Sequence, residues 1–391
     1  MSLSEIHELE GLNYLEDLAE EYENKSGSAP FNLSHWDPSK HTINALLKYL
    51  RLPPPPLAVP YIYSYYTGVQ EQIIQRLGFS AATRDCLLVH SGTSAMVLAV
   101  RWLKALGLHR VVILCPAYFP VFYASEIMDL SYERLYMHRD QGKWHLPREE
   151  IVARVHESPS KTAVWITNPV YCTGVYLSEA DRDYLHSLLD TGVAIVADEC
   201  LAKTGYELGR LLGRSERFLG LYSPHKTVCL NAVKFAAMIF DTKYEGFFDS
   251  WVDVLTGGLG ASNYSALIHF LDDNFSHFQS AFFEHTDKVR KNVLGMINSW
   301  GELIEGDEDT LGHFITCYAP KIHGDKGNDK QFLRQLISNT GAIVIPGIRN
   351  HFDPDMGFNF RINLARGCPQ FYPSLYRTIE YLAGVSSNSP N

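Results

Sequence analysis

From Cys86 onward the chain alternates short apolar runs with stretches whose apolar residues recur at helical spacing. Cys86–Val89, Val111–Cys115, Ala163–Thr167 and Ala194–Asp198 are short and almost continuously apolar, as strands buried on both faces are. The segments between them, through Ala105, through Met128 and near Glu179–Leu189, carry the helical period. This alternation predicts an α/β architecture, a mostly parallel sheet covered by helices. Ligands on such sheets bind at the carboxyl ends of the strands. Leu219–Tyr222 and Phe235–Phe240 read as two further core strands, with the Ser223-Pro224 turn signal after the first. Upstream, residues 5–24 are rich in Glu and Leu at helical spacing, and residues 31–38 read as a loop. Pro53–Pro56 and Pro60 mark an extended segment, followed by the aromatic stretch Tyr61–Gly68 and a helix from about Val69 to Leu77. Downstream, residues 277–300 carry a long helical pattern. His313–Tyr318, Ala342–Ile345 and Asn359–Leu364 then read as strands of a smaller α+β domain. The expected division is a large domain over 46–285, a small one over 286–391, and an N-terminal helix and arm, 1–45, packing on the small one.

Composition narrows the class. The 391 residues are 46% hydrophobic and 20% charged, with a net charge of -10. An acidic chain is a poor partner for nucleic acid or an anionic membrane. No run reaches the roughly 18 apolar residues of a membrane span. The N-terminal sequence lacks the basic and apolar regions of a signal peptide. The seven cysteines are scattered without a CxxC pair and mostly lie in apolar runs, so reduced core thiols of a cytoplasmic protein are expected, with no metal site.

The chemistry-bearing residues gather at strand ends. Lys226 follows Tyr222-Ser223-Pro224-His225 on a short turn between two core strands. A lysine there loses solvation, which lowers its pKa and frees the amine as a nucleophile of the Schiff-base kind. The plainer alternative is a surface turn lysine. Ser91-Gly92-Thr93-Ser94 lies between a strand and a helix, where small residues and the helix N-terminus suit a phosphate; simple N-capping is the alternative. Asp198 ends a buried strand, where a carboxylate wants a cationic partner. A pyridinium N–H would be one and would make the ring an electron sink; a structural aspartate capping a loop is the alternative. Tyr118 follows a strand end and could lie on a flat cofactor, or be a core tyrosine. Arg361, inside the apolar run 360–365, suits a bidentate anion such as a substrate carboxylate, or faces water at a strand edge.

In this order, these residues resemble the class I/II aminotransferase family, pyridoxal-phosphate (PLP) enzymes of fold type I, over roughly residues 30–370. The resemblance implies a large domain with a mostly parallel seven-stranded sheet sandwiched by helices, plus a smaller α+β domain. It implies that Lys226 in Ser223-x-x-Lys226 bonds PLP, that Asp198 pairs with the pyridine nitrogen, and that Gly92, Thr93, Ser94 and Ser223 form the phosphate cup. Tyr118 is then the stacking aromatic, Arg361 the clamp on the substrate α-carboxylate, and Tyr63 the tyrosine reaching the neighbouring subunit's phosphate in a homodimer with shared active sites.

Departures from the family's pattern shape the expected reaction. The usual phosphate-binding arginine eight residues after the lysine is Lys234, which keeps the charge and loses the fork. Tyr171 stands where an asparagine usually meets the PLP phenolic oxygen, and Leu201 where a tyrosine does. Tyr171 or Asn168 is left to serve that oxygen. Trp36, with His35 beside it, occupies the place of a small glycine lining the substrate pocket. The expected function is action on an L-α-amino acid through an external aldimine and α-proton removal. Either β/γ-elimination, replacement or cyclisation follows, as in a capreomycidine-synthase-like cyclase of guanidino amino acids, or ordinary amino transfer to a 2-oxo acid. A DNA-binding regulator with an aminotransferase-like sensor domain is the rival from another class, and this chain has no added basic domain for it.

Overall fold

The computed structural model describes residues 13–54, 69–156, 158–255, 257, 259–307 and 309–388. The chain divides into two compact units, Leu47–Tyr171 with Val175–Ala281, and Met1–Leu46 with Cys172–Gly174 and Phe282–Asn391.

The first unit is built on a seven-stranded sheet. Its strands are β1 (Arg84–Val89), β2 (Arg110–Cys115), β3 (Ser131–Tyr136), β4 (Thr162–Thr167), β5 (Ala194–Asp198), β6 (Phe218–Tyr222) and β7 (Ala236–Asp241). They lie in the order β1-β7-β6-β5-β4-β2-β3, and only β7 runs antiparallel to its neighbours. The predicted apolar runs are these strands, with bounds moved by a residue or two. The sequence pattern missed β3. It is one of the two edge strands and, unlike the buried β1 at the other edge, is largely open to solvent, so Glu133 and Arg134 break its apolar run. Register brings Thr167 opposite Asp198 and Asp198 opposite Leu221. Ala236, at the start of the antiparallel β7, pairs with Val89, at the end of β1. The carboxyl ends of β1, β2, β4, β5 and β6 and the amino end of β7 therefore share one edge. Helix Gly92–Ala105 packs its buried Ala95, Leu98, Ala99 and Trp102 on this sheet.

The second unit holds a four-stranded antiparallel sheet, Glu305–Gly306, Phe314–Ala319, Phe358–Asn363 and Ile345–Pro346. The run 342–345, read as one strand, is two. Ala342–Ile343 pairs in parallel with Phe31–Asn32, and Ile345–Pro346 joins the four-stranded sheet. Helix Asn13–Ser26 buries Tyr14, Leu15 and Leu18 in this unit's core, beside Leu336, Ile337 and Leu375. Helix Lys330–Thr340 starts where the Asp329 carboxylate caps the N–H groups of Gln331 and Phe332. It ends at Gly341, whose φ of 65° is the left-handed value that glycine adopts without strain.

No helix among the described residues is long and apolar enough to cross a membrane. Six of the seven cysteines are buried free thiols, and Cys368 is half-buried. Among the described residues no cluster of His, Cys, Asp or Glu could hold a metal ion.

Candidate functional site

The shared edge of the first unit gathers most of the residues singled out from sequence. Ser223 follows β6, and a 3₁₀ turn, Pro224–Val228, carries Lys226. The Lys226 N–H donates to the Ser223 carbonyl at 2.9 Å, and the Thr227 hydroxyl to the Pro224 carbonyl at 2.7 Å. His225, Thr227 and Val228 are buried, whereas Lys226 is half-buried. Its ammonium lies 5.6 Å from the centre of the Tyr118 ring. That ring in turn lies 5.6 Å from the Tyr171 ring, tilted by 37°.

Beside the lysine stands a cradle of bare backbone. Ser91 caps helix Gly92–Ala105, its hydroxyl accepting the Ser94 N–H at 3.2 Å. The first N–H groups of such a helix have no intrahelical acceptor and face an incoming anion. A Cβ added at Gly92 would come within 2.7 Å of Cys200 Sγ and 3.3 Å of Lys226 Nζ. A side chain there would fill the space next to the amine. Thr93 is exposed and Ser94 half-buried, its hydroxyl 3.2 Å from that of Ser91.

Asp198 is 4% exposed at the end of β5. Burial raises its pKa. The nearby Lys226 charge and donation from the Cys200 thiol and N–H, the latter at 3.2 Å, pull it back. The Lys234 ammonium donates to the Asn231 carbonyl of its own loop, and burial, then the Lys226 charge, push its pKa down.

Other expectations change in three dimensions. The Ser223 hydroxyl donates to the Phe235 carbonyl at 2.9 Å, tying the start of the lysine turn to β7 rather than facing the cradle. The Asn168 amide nitrogen gives its hydrogens to Glu199 Oε1 at 2.8 Å and to the Tyr206 carbonyl at 3.2 Å. In this arrangement it has no donor left for a bound ring. Glu199, which the sequence reading passed over, is a buried hub. It accepts from Asn168, the Tyr222 hydroxyl at 2.7 Å and the N–H groups of Leu208 and Gly209 at 2.5 and 3.2 Å. Burial nevertheless pushes its carboxyl up to about 7. Its place directly after Asp198 was the one available signal. Tyr63 lies outside the described residues.

In the second unit Arg361 sits mid-strand and is 3% exposed, so it does not face water. Its Nε donates to the Ser34 carbonyl at 3.0 Å and its Nη1 to Cys172 Sγ at 3.7 Å. The guanidinium lies 4.3 Å from the Trp36 ring and 5.2 Å from the Phe314 ring. The arm before Trp36 is stitched to the same strand, since Asn363 Nδ2 donates to the carbonyls of His35 and Trp36 at 2.7 and 3.3 Å. Among the described residues no carboxylate pairs with Arg361, a buried charge whose hydrogen-bonding edge is only partly used. His35 is exposed, with Nδ1 accepting the Asp37 N–H at 3.1 Å.

His225 and His269 form a further buried pair, Nε2 to Nδ1 at 3.1 Å. Burial and then His269 push the His225 imidazole down to about 3. A base held low in the folded state contributes stability that is complete above about pH 6.5 and is lost as pH falls from there toward about 3. His225→Phe, placed against Phe235 and Phe275, is expected to lose about 2–3 kcal/mol less than the wild type between roughly pH 7.5 and 4.5. Urea unfolding at both pH values measures this.

No protein-family model matches the chain. No curated protein matches it by sequence. Solved structures do match. The N-succinyldiaminopimelate aminotransferase of Mycobacterium tuberculosis superposes with a TM-score of 0.73 at 14% identity, over 98% of this chain and all of that one. The Escherichia coli protein YbdL, with a methionine aminotransferase function, gives 0.72 at 16%, over 95% of this chain and 96% of that one. A PLP-bound C–S lyase of Staphylococcus hominis gives 0.71 at 14%, over 91% and 92%. The chain is similar to all three over nearly its whole length, and its fold is that of the fold type I PLP enzymes.

Proposed function

We propose that the protein is a PLP-dependent enzyme acting on an L-α-amino acid. The observation that carries this reading is the meeting of the Lys226 amine, the bare Gly92 cradle and the buried Asp198 carboxylate at one sheet edge. These residues fit the group. The Gly92 turn at a helix N-terminus suits a phosphate, Lys234 adds a cation near it, Tyr118 offers a ring face, and Asp198 suits a pyridinium N–H. When bound, PLP supplies an electron sink for charge developing at the substrate α-carbon.

The chain's own residues do the rest. Lys226 would hold PLP covalently, and its free amine would serve as general base for the substrate α-proton. Asp198 would pair with the ring nitrogen and favour its protonated form. Arg361, a buried cation that no carboxylate among the described residues pairs, would receive the substrate carboxylate. Tyr171 takes over the contact to the phenolic oxygen, since Asn168 is engaged with Glu199 and position 201 is a leucine. A homodimer in which Tyr63 reaches the partner's phosphate completes the reading.

For the later step we propose side-chain chemistry, namely elimination, replacement or cyclisation. The replacements at Tyr171 and Leu201, and a tryptophan at position 36 lying on Arg361 where the resemblance implies a glycine, support a specialised substrate. The second reading, amino transfer, draws on the two aminotransferases among the similar structures. Incubation with ¹⁵N-labelled L-amino acids and 2-oxoglutarate separates them. Labelled glutamate marks amino transfer. Labelled ammonium with a 2-oxo acid marks elimination. A changed product that keeps its label marks replacement or cyclisation. No change to any amino acid in the panel, with PLP present, counts against the function itself.

Gly92→Ala tests the cradle. Its Cβ must displace Cys200 Sγ and crowd the Lys226 amine. We expect PLP affinity to fall by on the order of tenfold or more, read by absorbance titration, with destabilisation of about 1–3 kcal/mol.

A further inference from the structure

We infer that the buried His225–His269 pair is a brace that aims Lys226, and that His269 is a positioning residue for cofactor attachment. This rests on the reading above that Lys226 holds PLP. Neighbouring residues on a 3₁₀ turn project about 120° apart. With His225 held in the core, Lys226 is turned toward the sheet edge. His225 and His269 are 0% and 1% exposed. Their walls are aromatic: Phe275 lies 5.1 Å from His225 and 5.4 Å from His269, Phe235 lies 6.0 Å from His225, and Phe278 lies 6.4 Å from His269. Among the described residues, His225 Nδ1 and His269 Nε2 have no hydrogen-bond partner. The bond between the rings is thus, among the described residues, the pair's one side-chain hydrogen bond. Burial pushes the His269 imidazole down, and the charged group acting on it, Asp272, pulls it up.

Stability alone does not explain this arrangement. Two buried nitrogens without partners are costly, and apolar side chains of similar size would fill the cage without that cost. What the pair adds is direction. One hydrogen bond fixes the ring orientation of His225 where aromatic packing alone would leave it loose. The partner helix, Ala261–Leu271, is itself anchored to the site. Its Asn263 Nδ2 donates to the Lys234 carbonyl at 2.6 Å and to the His90 carbonyl at 3.3 Å, and its Oδ1 lies 3.0 Å from His90 Nδ1. One helix therefore bonds the segment before the Gly92 cradle, the Lys234 loop and the lysine turn. A rigid support of that kind is what holds a reacting group in place.

The test compares wild type, His269→Leu and His269→Gln. Each is titrated with PLP, reduced with borohydride and mapped by mass spectrometry. The pH profile of the yellow absorption band and the urea stability of the protein without PLP are also recorded. We expect His269→Leu to be at least as stable as wild type. Its PLP affinity should fall by on the order of tenfold, with a shifted pH profile of the band. His269→Gln, which can still bond His225 Nε2, should recover most of both. A His269→Leu protein with wild-type affinity and pH profile overturns the brace while leaving Lys226 as the attachment site. A wild type that takes no PLP on Lys226 overturns both. If His269→Leu is insoluble, the bonded imidazole N–H resonance of the wild type decides. It should move when PLP is added, and an unmoved resonance overturns the brace.

Discussion

Lys226→Ala is expected to remove covalent PLP attachment and to lower turnover by on the order of 10⁵-fold or more, because the proposed reading gives Lys226 both the carrier and the base role. The expected record is a yellow wild type whose borohydride-reduced label maps to the peptide containing Lys226, and an alanine variant without label. The reason is positional. The 3₁₀ turn after β6 holds the backbone of Lys226 by its bond to the Ser223 carbonyl, while the buried His225, Thr227 and Val228 anchor either side of it. Lys234 is the informative rival. Burial and then the Lys226 charge lower its pKa, so it is the second amine to be mapped. Label found on Lys234 in the wild type would move the covalent chemistry to the neighbouring loop and sink the assignment of Lys226. Label that moves there only in Lys226→Ala would instead mark a substitute without the geometry for turnover.

Asp198→Asn separates function from stability. In the protein without PLP burial raises the pKa of this carboxylate, against the opposing pull of the Lys226 charge and of Cys200. Taking away a buried charge that lacks a close ion-pair partner is often neutral or stabilising. The asparagine variant is therefore expected to unfold in urea within about 1 kcal/mol of wild type, or later. Its chemistry should suffer much more. An amide cannot hold a ring nitrogen in its protonated form, and proton removal from the substrate α-carbon should slow by on the order of 10²–10⁴-fold. Deuterium uptake at the α-carbon of L-amino acids in heavy water, followed by NMR, measures that step without knowledge of the final product. Wild-type exchange in the variant would show that Asp198 has a structural role and that the ring nitrogen meets another group.

Both residues were legible before any coordinates because each is marked by local pattern. Asp198 closes an apolar strand, and Lys226 follows a Ser-Pro turn between two such strands. The rule that ligands meet the carboxyl ends of strands then places them on one edge. The same local signals gave the parallel strands, the helices between them and the Ser91–Ser94 turn. The period of apolar residues depends only on near neighbours and on burial. Where burial is one-sided the signal fades, which is why the edge strand Ser131–Tyr136 escaped it.

The contacts that set the details join residues far apart in the chain. Asn168 was open to a role at the cofactor until its amide proved to be bonded to Glu199 and Tyr206. Trp36 read as a pocket wall and lies on the Arg361 guanidinium. His225 gave no sign of His269. Propensity and periodicity record what a segment does with its own neighbours, so they carry the architecture, the lysine turn and the buried acid. A hydrogen bond or ring contact between distant segments is chosen only when packing has closed the chain on itself. The partners of Asn168, Trp36 and His225 were decided there.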